Sequence, residues 1–345
     1  MSADQDLVVA TVREILAGHP PLLLTADTRW DAGLWASLAE AGLTGVGLPE
    51  EVGGSGGELA DAVAVVATLA RGAGAVPVAE QLLVAGPAVL AAGLALPAPE
   101  EPLSIAVDGA VRAERDGDGW TLTGTATEVA WAGVVQHLAV LAQGPDGDVL
   151  ALVDVAGLEA TRSANLAGEP RGSHVFDAVP AQVGPVDGDV VRARYALARA
   201  VQLSAAMEEV LAWTVQYAGE RTQFGRPLAK FQAIQMQLAE MAGEVTSVSA
   251  LVDAAVQTLD RGEPVTPAAA AAKVRAGMAV EVVARLAHQV HGAIGFTQEH
   301  RLHHLTRRCW SWRDEGGTEL AWSRVLGSGL LADGDDVWPA LTAVV

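Results

Sequence analysis

Apolar positions fall at helical spacing near both ends of this chain and at strand spacing in its middle. Residues 7–16 set Val8, Val12 and Ile15 on one helical face, with Arg13 and Glu14 on the other. The stretch LWASLAEAGL predicts a short amphipathic helix stopping at Gly42, after which Pro49, Gly53, Gly54, Gly56 and Gly57 shape an irregular loop. Residues 58–95 are rich in Ala, Val and Leu and are interrupted at Gly72, Pro77 and Pro87, which predicts two or three buried helices.

The pattern changes after the proline-rich LALPAPEEP (94–102). LSIAVDG, VRAERDGDGWTLTG, VVQHLAVLAQ and DVLALVDV are short β-forming runs separated by Asp-Gly turns. Asp118-Gly119, followed by Trp120, Leu122 and Gly124, signals a hairpin. An antiparallel β-domain is expected over 101–187, between a helical domain over 1–100 and a helical bundle over 188–345. In the last region Ile234, Leu238, Met241, Val245, Val248, Val252 and Leu259 hold a three-four spacing. Thr266-Pro267 reads as an N-cap with proline at the first helical position.

Composition narrows the function classes. The chain has 345 residues, half of them hydrophobic but only 4% aromatic, which favours helices built from small side chains. A net charge of -20 argues against nucleic acid as a general partner. The single Cys309 excludes an intrachain disulfide and a cysteine metal cluster, in keeping with a reducing, cytoplasmic setting. The acidic start MSADQD does not read as a signal peptide, and no apolar run is long enough for a membrane span.

Three stretches carry candidate chemistry. QYAGERTQFGRPLAKFQAIQ (216–235) places Arg221, Gln223 and Phe224 at a helix end, turns at Gly225 and Pro227, and restarts at Phe231-Gln232. A guanidinium, an aromatic ring and two amides together suit a flat anionic ligand, though an ordinary interhelical turn with a solvated arginine accounts for them equally well. HQVHGAIGFTQEHRLHHL (288–305) combines glycines with His291, His303 and His304; helix termination is the simple reading of Gly292 and Gly295. CWSWRDEGGTELAW (309–322) sets two acids against two glycines and raises Glu315 as a catalytic carboxylate or as a turn residue.

The first two stretches resemble the signatures of the acyl-CoA dehydrogenase family, LAEAGLTGVGLPEEVGGSGG resembles its N-terminal motif, and DGWTLTGTATEVAWAG resembles its β-domain hairpin. The resemblance covers nearly the whole chain. It implies an α+β fold: an N-terminal helical domain, a middle antiparallel β-barrel-like domain and a C-terminal four-helix bundle. It implies FAD as cofactor, an acyl-CoA thioester as substrate, electron-transfer flavoprotein as acceptor, a homo- or hetero-oligomer, and no metal. Carried over, Arg221 contacts the FAD pyrophosphate across a subunit interface, Phe224 packs at the adenosine end and Gln232 bonds near it. Gln289, with the main chain at Gly292 and Ala293, meets the other end of the ADP, and Thr318 occupies the family's threonine position in a Glu-Gly-Thr triplet.

The sequence departs from that pattern in three places. LSIAVDG runs almost directly into the hairpin, without the family's Thr-Glu-Pro and Gly-Ser-Asp elements, and Glu128 replaces a flavin-facing aromatic while Trp131 lies three positions on. Aligned from Arg307, Gly316 falls at the position of the family's base and Glu315 one residue early. A one-residue offset in extended chain turns a side chain to the other face. The alternative base position on the first bundle helix is Tyr195, flanked by Arg192 and Arg194. Two readings follow: Glu315 serves as base if Gly316-Gly317 bends the backbone, or the chain is a companion to a catalytic sister. The second resembles actinobacterial members with short, incomplete chains that assemble as mixed tetramers in sterol side-chain catabolism.

Overall fold

A computed structural model describes residues 3–332, and the chain divides into two compact units, Met1–Ala198 and Arg199–Val345. The first unit opens with α1 (Ala3–Gly18) and α2 (Ala32–Glu40). Asp31 caps α2, its Oδ1 accepting from the Leu34 N–H at 2.8 Å, and Leu34, Trp35 and Leu38 face inward. A capping box of Glu58 and Asp61 starts α3 (Leu59–Arg71), which buries Val65, Val66 and Leu69. The break expected at Pro87 is not a break. A π-helical turn, Glu80–Ala85, runs straight into α4 (Gly86–Ala91), with Pro87 at its second position; the Leu83 carbonyl, four residues before the missing N–H, accepts instead from Nε of Arg194 at 3.1 Å.

The strands are β1 (Leu103–Ala106), β2 (Asp108–Asp116), β3 (Gly119–Thr127), β4 (His137–Gly144), β5 (Gly147–Asp154), β6 (Ala160–Ala164) and β7 (Pro170–Pro185). They form one sheet in the order β1-β4-β2-β3-β7-β5, and a further β4–β5 pairing closes it into a barrel-like ring. The sheet is not wholly antiparallel as expected, since β1 runs parallel to β4 from Leu103↔His137 to Ala106↔Val140. The β2–β3 hairpin and residues 128–136 supply the crossover that a parallel pair needs. That hairpin turns one residue earlier than expected: Asp116 pairs with Gly119, so Gly117 and Asp118 form the loop and Gly117 takes the left-handed φ of 59°. Leu122, Ala126, Leu138, Val140, Ala151, Val153 and Phe176 fill the interior.

Helix α5 (Gly188–Glu220) leads into the second unit, followed by the two-residue strands β8 (Thr222–Gln223) and β9 (Arg226–Pro227), then α6 (Gln232–Asp260), α7 (Thr266–His291), α8 (Leu302–Asp314) and α9 (Glu319–Ala332). Within this unit α7 packs on α6, α8 and α9. The three-four apolar row of α6 is buried at Met241, Val245, Val248 and Val252. Thr266 is the first residue of α7 rather than its cap; Val265 holds the cap and Pro267 the second position, where it forfeits no intrahelical bond. No helix among the described residues is long and apolar enough to cross a membrane.

Candidate functional site

The Arg221 segment forms a small projecting hairpin. Gln223 pairs with Arg226, leaving Phe224 and Gly225 as the loop, both left-handed with φ of 51° and 80°. This is the two-residue turn that glycine and asparagine adopt readily and phenylalanine does not. The strained backbone leaves the Phe224 ring 91% exposed. Phe231 lies edge-on to it, and the Arg226 guanidinium sits 4.1 Å over the Phe231 ring. Arg221 and Gln232 are exposed, and Arg221 forms no ion pair among the described residues.

Gly292 ends α7 with a φ of 63° and donates its N–H to the His288 carbonyl. Helix termination is therefore its local role, and it leaves Gln289, Gly292 and Ala293 exposed together. Gly295 is required sterically, because a Cβ there would lie 2.8 Å from the His291 Cβ. The histidines pack as rings: His291 stacks on Tyr217 at 4.5 Å and meets His300 at 4.8 Å, while His288 stacks on Phe296 at 4.7 Å. Burial pushes His288, His291 and His300 below the ordinary histidine value. It takes His304 down to about 4, with His303, Arg308 and Arg307 adding repulsion. Among the described residues no three His, Cys, Asp or Glu side chains are grouped to hold a metal ion. Cys309 is buried and its thiol pushed up to about 12, chiefly by burial, which leaves it inert.

Glu315 follows α8 in extended conformation, and Gly316 and Gly317 then bend the chain with φ of 67° and 93°. Its carboxylate goes inward. Glu315 Oε2 lies 2.9 Å from Nη2 of Arg199, whose side chain is 1% exposed. The buried Lys273 of α7 donates to the carbonyls of Arg313 and Gly317 and so ties both ends of the bend. Burial lowers the Lys273 pKa to about 8, with Arg199 adding to the effect and Glu319, Asp314 and Glu315 opposing it. The Trp322 indole donates to the Gly316 carbonyl at 2.6 Å, and a Cβ on Gly317 would meet that nitrogen at 2.5 Å. Thr318 is exposed and starts α9, its Oγ1 accepting from the Ala321 N–H at 3.3 Å. Neither Arg199 nor Lys273 was among the residues singled out from sequence. The signal for both was a lone cation inside an alanine-rich helical run, in YALARAVQL and AAAAAKVRA.

In the first unit, Glu128 and Trp131 lie on the segment that follows β3. Glu128 is exposed with a φ of 52°, whereas Trp131, φ 62°, is 3% exposed and belongs to the β-domain core. Tyr195 is buried.

Comparisons with known proteins agree with this architecture. The model of the acyl-CoA dehydrogenase N-terminal domain matches residues 2–95, and that of the C-terminal domain matches residues 192–325. The acyl-CoA dehydrogenase FadE27 of Mycobacterium tuberculosis is 30% identical over 316 residues, 83% of this chain and 84% of its own length. The acyl-CoA dehydrogenase IpdE2 of the same organism is 29% identical over 319 residues, 88% of this chain and 90% of its own. Among solved structures, a variant of the steroid ACAD Tcur3481-Tcur3483 superposes with a TM-score of 0.87 at 29% identity, covering 96% of this chain and 98% of that one. The chain thus belongs to the acyl-CoA dehydrogenase family of oxidoreductases acting on CH–CH groups.

Proposed function

We propose that this chain is one subunit type of an FAD-dependent acyl-CoA dehydrogenase whose catalytic base comes from a sister chain. The observation that carries this reading is the inward Glu315–Arg199 ion pair at 2.9 Å. A general base must present a free lone pair to the α-proton. Here the nearest acid to the family's base position is committed to a buried guanidinium, and the alternative position holds the buried Tyr195.

The residues present fit FAD at its ADP end. A guanidinium at Arg221 that is exposed and has no ion pair among the described residues, an exposed ring at Phe224, and exposed main chain at Gly292 and Ala293 match a pyrophosphate with an attached adenosine. In this reading Arg221 holds the pyrophosphate, Phe224 and Gln232 meet the adenosine end, and Gln289 with Gly292 and Ala293 meets the other side. Thr318 bonds the cofactor from the start of α9. FAD, when bound, supplies the acceptor for the β-hydride of the acyl thioester. At the isoalloxazine end the fit fails, because the exposed Glu128 carboxylate stands where an aromatic face belongs. The chain therefore contributes to the ADP end of a shared site, and the division into 1–100, 101–187 and 188–345 follows the family's three modules. The likeness to a steroid ACAD supports a bulky, steroid-derived acyl group as substrate, with electron-transfer flavoprotein as acceptor.

The test is to purify the chain alone and together with the partners it retains in its native host, then measure flavin content and dehydrogenation of steroid-side-chain acyl-CoA. Activity confined to the complex is expected. Full activity and full flavin stoichiometry in the isolated homomer would overturn the companion role.

A further inference from the structure

The last four carbonyls of an α-helix have no partner within the helix. At the end of α7 the carbonyl of His291 finds one on another helix, accepting from the phenol of Tyr217 on α5 at 3.3 Å. The Tyr217 ring also stacks on the His291 imidazole, centroids 4.5 Å apart, and His300 meets both rings edge-on, at 4.8 Å and 6.5 Å. The imidazole is itself fixed: its Nδ1 donates to the Ala287 carbonyl at 2.8 Å, and the residue is buried.

The next residue, Gly292, has φ 63° and ψ -144°, a conformation that glycine alone adopts readily. A Cβ there would meet nothing within 4 Å, so the outer side of the turn is bare and the turn is held from the His291 side. The main chain of Tyr217 carries the connection onward, its carbonyl accepting from the Arg221 N–H at 2.8 Å. One residue thus bears the start of the Arg221 segment on its backbone and the end of α7 on its side chain. Trp213, one turn earlier on α5, differs: it meets Arg301, beyond the turn.

We propose that Tyr217 is a positioning residue for the cofactor, fixing the Gly292–Ala293 main chain relative to Arg221 so that both meet the same ADP group. The inference rests on the proposed role of Arg221 and Gly292 in holding FAD. A pyrophosphate is gripped by main-chain donors and a guanidinium together only if their separation is kept. A glycine turn with no side chain to pack has no means of its own to keep it. An aromatic pair suits the task, because it has few torsions to order and a preferred offset geometry.

The test uses the assembled complex, stripped of flavin and titrated with FAD by fluorescence. The proteins are the parent, Tyr217→Phe, Tyr217→Leu, Arg221→Ala, and Tyr217→Leu combined with Arg221→Ala. Tyr217→Phe keeps the stack and loses the bond to His291, so FAD affinity should fall about two- to tenfold. Tyr217→Leu loses both, and affinity should fall by about tenfold or more. The double variant should lose less than the product of the two single losses, because without Arg221 the turn has nothing to be aligned with. A tyrosine that only stabilises the fold would lower the melting temperature and leave parental FAD affinity in the folded fraction. That result in Tyr217→Phe would overturn the proposal, even if Tyr217→Leu failed to assemble, and so would single losses that multiply in full. A loss in Arg221→Ala with none in the Tyr217 variants would overturn the proposal alone; parental affinity in Arg221→Ala would overturn the ADP assignment and the proposal with it.

Discussion

Glu315→Gln separates a structural carboxylate from a catalytic one. The substitution keeps the shape of the side chain and removes its charge. Arg199, 1% exposed, would then face a neutral amide, with the buried Lys273 close by. Removing one partner of a buried pair costs about 3–5 kcal/mol, and the 16% exposure of the Glu315 side chain places this case near the lower figure. At roughly 2–4 °C per kcal/mol the melting temperature falls by about 6–12 °C. The measurement is thermal unfolding by circular dichroism, followed by turnover of the complex with its sister chain below the melting range. Turnover should stay within a few-fold, because no proton-accepting group has been lost. A working base would give the opposite signature: unchanged melting and a rate loss of about 10²–10⁴. The double change Arg199→Met with Glu315→Gln should recover much of the lost stability, since removing both charges leaves none unpaired. A melting temperature within about a degree of the parent's, together with a hundredfold rate loss in Glu315→Gln, would refute the structural role.

Arg221→Ala is expected to weaken flavin retention by about tenfold or more, from lost charge-assisted bonds of roughly 1.5–3 kcal/mol; full flavin stoichiometry after gel filtration of the complex would contradict it. The chain should sediment well above its 35.4 kDa monomer mass, since Phe224 and Phe296 are left 91% and 75% exposed. Stability should decline in acid. His288, His291 and His300 are held below the ordinary histidine value and His304 at about 4. Unfolded histidines take up protons near pH ~6.5, so their contribution is complete above that and lost as pH falls toward about 4; a flat melting temperature across that window would contradict it. Gly317→Ala should melt several degrees lower by calorimetry, because its φ of 93° and the Trp322 nitrogen 2.5 Å from the added Cβ both oppose a side chain.

The elements were legible where one periodicity ruled. The three-four apolar row of α6 and the Asp-Gly-punctuated middle gave helices and strands because each buries one face against a core. Misreadings came where local chemistry had two solutions. Pro87 breaks an ordinary helix, but a π-helical turn before it lets the chain continue. The β2–β3 loop needed a left-handed residue, and Gly117 met that need as well as Gly119 could. Parallel pairing of β1 with β4 has no local signature, because register between distant strands depends on the crossover joining them.

The site was legible as residues and not as partners. Arg221, Phe224, Gln289 and Gly292 come out exposed at a hairpin tip and a helix end, positions that short-range turn chemistry determines. Glu315 could not be decided that way. The reading of Glu315 as base requires the bend at Gly316-Gly317, and the bend is present; the companion reading takes Glu315 as an exposed turn carboxylate, and its side chain is only 16% exposed. What distinguishes them is where the carboxylate goes, and that depends on Arg199, more than a hundred residues earlier on α5. A buried guanidinium among alanines has to find an anion, and the chain supplies Glu315 one residue ahead of the family's base position. In the proposed companion role, the one-residue offset of Glu315 and the cation that holds its carboxylate are two sides of one arrangement, in which the turn only has to stay closed, and Lys273, Arg199 and Trp322 all bond to that turn.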